Sequence, residues 1–218
     1  MQGLSLDDCQ KRPERLYAAE CLPIKALWKK ILRKADVPAR FEKANFGSLV
    51  VPPYLEEQAE KVTAFARDLK QNLEQGQGLI LKGSVGTLKT TLAVAVLQEV
   101  LTAGFDGMFV TMPSLLDTIF SLKEINPAEW VAFEQRLRKS KLLVLDDLGY
   151  ERSEGWVTTK VDAIISERYN SVVSTIATTN LSAAALKGRY AEKLLDRLGS
   201  TCQPVTFTGA SLREQKKA

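Results

Sequence analysis

Two kinds of segment alternate along this chain. Short apolar runs stand at Leu79–Lys82, Gly107–Thr111, Leu142–Leu145, Val172–Thr178 and Val205–Phe207. They lack the every-second-residue polarity of a half-exposed strand, which predicts strands covered on both faces. The longer stretches between them read as helices. Tyr54–Gln75 gathers Leu55, Ala59, Val62, Phe65, Ala66, Leu69 and Leu73 on one side, and Gly76 and Gly78 end it. Lys89–Thr102 is apolar nearly all round, which predicts a largely buried helix closed by Gly104. Pro113 opens a helix to Leu122, and Asn126-Pro127-Ala128-Glu129 is a cap followed by a first helical turn. Val157–Asn170 is amphipathic, and two shorter helical stretches lie around Ser182–Lys187 and Tyr190–Leu198. Strands alternating with helices predict an α/β fold, with a parallel sheet covered by helices on both faces.

Ahead of this pattern, residues 1–44 form a polar, partly helical leader. Ile24, Leu27, Trp28, Ile31 and Leu32 recur at helical spacing among lysines and arginines, and Pro38 ends the element. Such a piece either packs on the body of the protein or docks on a partner, and packing is the expectation.

Composition narrows the chemistry. The 218 residues suffice for one main core, and 45% hydrophobic with 26% charged residues is the balance of a globular protein. No apolar run approaches the roughly 20 residues of a membrane span, and the N-terminus has no signal-peptide pattern, so the expected location is cytoplasmic. Histidine is absent, which excludes histidine triads and imidazole–metal sites. Cys9, Cys21 and Cys202 are expected as reduced thiols, since two neighbouring thiolates cannot close a tetrahedral metal site. The net charge of +4 is unevenly spread: Lys25, Lys29, Lys30, Arg33, Lys34, Arg40 and Lys43 face only Asp36 and Glu42, and Arg213, Lys216 and Lys217 follow at the other end. These clusters suit nucleic-acid phosphates or a solvated helix face.

Candidate chemistry begins at the first strand. Gly83-Ser84-Val85-Gly86-Thr87-Leu88-Lys89-Thr90-Thr91 links an apolar run to a helix start, the layout of a phosphate-binding loop. Its glycines let successive N–H groups face an anion, Lys89 reaches terminal phosphates, and the Thr90 hydroxyl completes a Mg²⁺ shell. The usual pattern has glycine before the lysine; here Leu88 stands there, so its side chain must point away from the phosphates or obstruct them. Asp146-Asp147, after the third apolar run, is either a turn or the acidic site of a nucleotide hydrolase, with Asp146 on the metal and Asp147 on the attacking water. Asn180 after the fourth run is a candidate γ-phosphate or water contact. Arg197 is a candidate arginine finger acting from a neighbouring subunit, and Arg213 a candidate second phosphate sensor.

Assembled in order, these pieces resemble the DnaC/DnaI-type helicase loaders and the IstB transposition helper ATPases of the AAA+ superfamily. The matching segments are Val37-Pro38-Ala39-Arg40-Phe41 with Ala44-Asn45-Phe46, the loop Gly83–Thr90, Leu143-Val144-Leu145-Asp146-Asp147-Leu148-Gly149, Thr178-Thr179-Asn180-Leu181, Asp196-Arg197-Leu198, and Gly209-x-Ser211-x-Arg213. The resemblance implies a P-loop NTPase domain over 45–218 behind the leader 1–44. It also implies ATP and Mg²⁺ as ligands, side-by-side self-association through an ATP-bridged interface, and action on DNA, single-stranded above all, with a replicative helicase or a transposase as partner. It places DNA contacts in the segment Pro113–Lys139, with Lys123, Arg136, Arg138 and Lys139. Leu88 leaves two outcomes open: a working ATPase, or a nucleotide-binding adaptor with weak hydrolysis.

Overall fold

The computed structural model describes residues 22–150 and 155–215. Expectations for Cys9, Cys21, Lys216 and Lys217 fall outside these residues. Ten α-helices and five strands follow in order among the described residues: α1 (Leu22–Lys34), α2 (Glu56–Arg67), α3 (Leu69–Glu74), β1 (Gly78–Gly83), α4 (Lys89–Thr102), β2 (Gly107–Thr111), α5 (Met112–Ile125), α6 (Pro127–Lys139), β3 (Leu142–Asp146), α7 (Gly155–Asn170), β4 (Ser174–Thr179), α8 (Ala183–Lys187), α9 (Glu192–Thr201), β5 (Cys202–Phe207) and α10 (Leu212–Gln215).

All strand pairings are parallel, in the order β2-β3-β4-β1-β5. The inner strands are buried on both faces because successive residues feed two separate cores, whereas β5, at the edge, leaves Gln203 and Thr206 exposed. Leu79, Leu81, Phe109, Leu142, Val144, Ile176, Val205 and Phe207 face one side, with α4 and the apolar faces of α1 and α2. Met108, Val110, Leu143, Leu145, Ala177 and Cys202 face the other, with α5, α6, α7 and α9. The predicted parallel sheet covered on both faces is what the chain forms. None of the described helices is long and apolar enough to cross a membrane.

Several boundaries depart from the sequence expectation. The helix expected over Tyr54–Gln75 breaks at Asp68, where φ −93°, ψ 26° interrupts the turn and the Asn72 side chain donates to the carbonyl of Phe65 at 2.9 Å. Strand β4 starts at Ser174 rather than Val172, because Val172 takes a left-handed turn (φ 51°) packed against Gly76. The cap at Asn126 forms as expected, its side chain accepting the Glu129 N–H at 3.2 Å.

The expected packing of the leader helix holds for α1. Trp28 and Leu32 rest on the first core, with Ala35, Val37 and Ala44 buried beyond the helix end. The carbonyl of Ala35 accepts the N–H of Phe109 at 2.8 Å, on the outer edge of β2. From α6, Arg136 bridges to Asp36 at 2.9 Å and donates to the carbonyl of Lys34, which fixes α6 to the end of α1.

Candidate nucleotide site

The strand order places the candidate residues. β4 lies between β1 and β3, so the loop after β1 and the acid at the end of β3 are separated by one strand whose last residues are Thr178 and Thr179. All three strands end on the same sheet edge, where open parallel sheets bind ligands.

Two glycines make the loop possible. Gly83 has φ 143°, and a Cβ there would lie 1.9 Å from the Phe207 carbonyl oxygen; Gly86 has φ 80°, and a Cβ would lie 2.1 Å from Ser211 Oγ. Leu88 occupies the left-handed region (φ 66°, ψ 3°), the conformation that the usual glycine adopts freely, at a cost to a non-glycine residue of about 1 kcal/mol. Its side chain packs against the first core rather than lining the loop mouth. The obstruction that Leu88 could have caused is therefore not built into the fold. The first hydrogen bond of α4 runs from the Leu92 N–H to the Leu88 carbonyl, leaving the earlier N–H groups as the unpaired donors of a helix start. Thr87 Oγ1 braces the loop from inside by donating to the Ser84 carbonyl at 2.8 Å.

Lys89 is 6% exposed, and its Nζ donates to the carbonyls of Gly83 (2.8 Å) and Ser84 (2.6 Å). Burial pushes its pKa below the ordinary lysine value; Asp147 and Asp146 oppose that shift, and Arg213 adds to it. Asp146, 5% exposed, accepts from the hydroxyls of Thr178 (2.6 Å) and Thr90 (2.9 Å) on the same Oδ1. Burial raises its carboxyl, as does the charge of Asp147, while Thr178, Thr90 and Lys89 pull the other way. Asp147 sits at φ 59°, and its N–H donates to Thr178 Oγ1 at 3.0 Å. Thr178 thus touches both aspartates. The motifs assign a role to Asn180 and none to Thr178, because Ser174, Thr175, Thr178 and Thr179 all lie buried on β4 and nothing local marks Thr178 among these hydroxyls.

The C-terminal segment closes on the loop. Ser84 Oγ donates to the Gly209 carbonyl (3.1 Å), the Leu212 N–H to the Gly86 carbonyl (3.0 Å), and the Tyr54 hydroxyl to the Ala210 carbonyl (3.2 Å). This brings Arg213, itself exposed, within electrostatic reach of Lys89. Tyr54, whose ring lies against Gly209, also went unassigned in the sequence reading.

Asn180 is exposed at the carboxyl end of β4, on the edge that carries Lys89 and Asp146. Arg197 is not brought to that edge. It lies on α9, its side chain 15% exposed, bridged to Asp162 of α7 at 3.2 Å and donating to Ser166 Oγ. It lines a cavity of about 420 Å³ at the amino edge of the sheet, with Gln75, Arg168, Val172 and Thr201. The guanidinium lining that cavity is spent on the fold: Arg168 donates to the carbonyls of Leu137 (2.8 Å), Ser140 (3.0 Å) and Ser174 and to Thr175 Oγ1 (2.9 Å). The phosphate-loop and acidic candidates lie at the other edge.

The residues at the carboxyl edge fit a metal–nucleotide pair. A hydroxyl and a carboxylate already in contact are hard oxygen donors, and no cluster of three or more His, Cys, Asp or Glu side chains that could cage a metal exists among the described residues. This is the donor set of an ion whose shell is completed by phosphates and water. A cation turned onto two loop carbonyls is placed to exchange them for phosphate oxygens.

The sequence pattern that defines the IstB-like ATP binding protein family matches residues 59–218. The insertion sequence IS21-like ATP-binding protein of Bacteroides fragilis is 28% identical over 149 residues, covering 66% of this chain and 56% of the relative. The replicative helicase loader DnaI of Bacillus subtilis is 25% identical over 170 residues, covering 71% of this chain and 53% of the relative. The chain thus spans about half the length of these two curated relatives. Among solved structures, the DnaC helicase loader superposes with a TM-score of 0.70 at 29% identity, covering 78% of this chain and 100% of that one. The DnaI structure superposes with a TM-score of 0.66 at 22% identity, over 80% and 93% of the two chains, which speaks for the fold. The fold is that of the P-loop AAA+ proteins, and the chain belongs to the IstB-like ATP-binding protein family.

Proposed function

We propose that this chain is an ATP- and Mg²⁺-dependent AAA+ switch acting on DNA, in the role of a replicative helicase loader. The contact of Thr90 with Asp146, beside a buried Lys89, carries the reading: it joins the phosphate loop to the acidic strand in one oxygen site. When bound, Mg²⁺ neutralises charge on the transferred phosphoryl group. Thr90 and Asp146 hold it, and Lys89 trades the carbonyls of Gly83 and Ser84 for phosphate oxygens. Asp147 orients the attacking water, and Asn180 contacts the water or the γ-phosphate from the adjoining strand end. Arg213 approaches the phosphates from the C-terminal segment, in the same chain. Arg197 serves a neighbouring subunit across an ATP-bridged interface, which requires it first to leave Asp162 and Ser166. Leu88, turned onto the core, favours turnover over a silent adaptor.

The loader role draws on the likeness to DnaC over the whole of that chain. The family match supports a second role, delivery of DNA to a transposase. Steady-state ATP hydrolysis with and without single-stranded DNA tests the switch. DNA-stimulated turnover that falls at least about 100-fold in Lys89→Ala is expected; turnover unchanged by Lys89→Ala would refute the assignment. Capture by a replicative helicase rather than a transposase decides the role.

A further inference from the structure

The resemblance puts DNA contacts on the segment Pro113–Lys139, yet its arginines are already engaged. Arg136 is paired with Asp36 at 2.9 Å. Arg138 is paired with Glu134 at 2.9 Å and Glu167 at 3.3 Å. Lys123 lies outside the described side chains. Only Lys139 of that set is exposed and outside the ion pairs of the described residues.

The opposite holds on α1. Lys29, Lys30, Arg33 and Lys34 are all exposed, and none enters an ion pair among the described residues. At about 100° per residue they fill an outer arc of about 140°, opposite the buried side carrying Leu32 and Trp28. Exposed Arg40 and Lys43 continue the stripe beyond the helix. The acids nearby do not cancel it: Asp36 is taken by Arg136, and Glu42 is half-buried. Arg136 therefore acts here as a strut, holding α6 against the end of α1.

We propose that the outer face of α1, with Arg40 and Lys43, is a contact surface for the nucleic-acid phosphate backbone. The proposal rests on the DNA-acting reading above and moves its contact surface from the α5–α6 segment to α1. A basic amphipathic helix also suits a membrane surface or a helix-binding groove, but both need a free apolar face. Most of that face is spent here on the protein's own core, through Trp28, Leu32 and the adjoining Ala35; Leu27, 39% exposed, is the large apolar side chain of α1 left open to solvent among the described residues, too little for either partner. Protein interface cores are depleted in lysine, whereas phosphate contacts are made by lysine and arginine.

The test is anisotropy of the full chain, without nucleotide, against labelled oligodeoxythymidine and a mixed-sequence duplex of equal length, across a salt series. The probe variant carries Lys29→Gln, Lys30→Gln, Arg33→Gln and Lys34→Gln together. Its affinity is expected to fall at least about tenfold, and the slope of log K against log salt to drop by about 3 on the single strand. The charge-preserving Lys29→Arg, Lys30→Arg, Lys34→Arg chain keeps both. If the four-site variant melts early, the paired changes Lys29→Gln with Lys30→Gln, and Arg33→Gln with Lys34→Gln, each remove about half that slope. Wild-type binding that survives these changes overturns the placement on α1, as does equal or tighter binding to phosphatidylserine vesicles. A wild-type chain that binds neither oligonucleotide overturns the DNA-acting reading itself, whatever its nucleotide binding.

Discussion

The two edges of the sheet bury charge in opposite ways. At the amino edge, Arg168 is 1% exposed with no ion pair among the described residues, yet its guanidinium is surrounded by carbonyls and hydroxyls from α6, the loop after it, and β4. Desolvation lowers its pKa to about 9, opposed by the charge of Asp106, and most of the compensation comes from three backbone carbonyls fixed by the fold. At the carboxyl edge, Lys89 and Asp146 are nearly as buried, but Lys89 leans on two loop carbonyls and Asp146 on two rotatable hydroxyls. Two residues with positive φ, Leu88 and Asp147, flank them. A buried charge with permanent partners is architecture; one with exchangeable partners and strained neighbours is a place for a ligand.

That contrast can be broken most heavily at Arg168. Arg168→Leu leaves three carbonyls without their donor, and a loss of about 3–5 kcal/mol in urea unfolding is expected, with or without nucleotide. Thr178→Val removes the hydroxyl shared by the two aspartates. A fall of about tenfold in ATP turnover and a higher Mg²⁺ requirement are expected, with Thr178→Ser close to wild type; equal loss in both variants would mean that packing alone is at stake.

Asp146→Asn separates function from stability. The folded chain holds the Asp146 proton more tightly than the unfolded chain, so raising the pH from the ordinary value of 3.8 through the raised folded value costs the wild-type fold free energy. The asparagine variant is spared that cost. Without nucleotide it should melt higher than wild type at neutral pH, the gap closing toward acid, while hydrolysis is lost. The smallest effect is expected from Leu88→Gly, which relieves the left-handed strain but forfeits packing; turnover should stay within about threefold of wild type. A large gain in turnover would mean that Leu88 does obstruct the phosphates.

Much of this molecule was legible from the order of its residues. Lys89–Thr102 and Gly107–Thr111 were bounded correctly because all-round apolarity and flanking glycines leave little choice of conformation. The loop and the acidic pair were visible as motifs, and the sheet brings them to one edge. What stayed hidden depends on tertiary partners. Arg168 sits in an amphipathic helix and reads as a surface residue until the turns after α6 and before β4 wrap around it. The start of β4 depended on Gly76, distant in sequence, and the bonds of Ser84 and Gly86 to the C-terminal segment on a return of the chain that no local pattern records. Arg197 shows the converse: the motif was present, but its guanidinium is bound to Asp162 and Ser166 at the far edge.

The hydrogen bond from Phe109 to Ala35 has a consequence for assembly. An outermost strand normally offers its free backbone groups as a template for a strand from another molecule. Here the turn after α1 takes up the Phe109 N–H on the outer side of β2, so that backbone donor is withheld from a strand of another molecule, and β5 is the other outermost strand of the sheet.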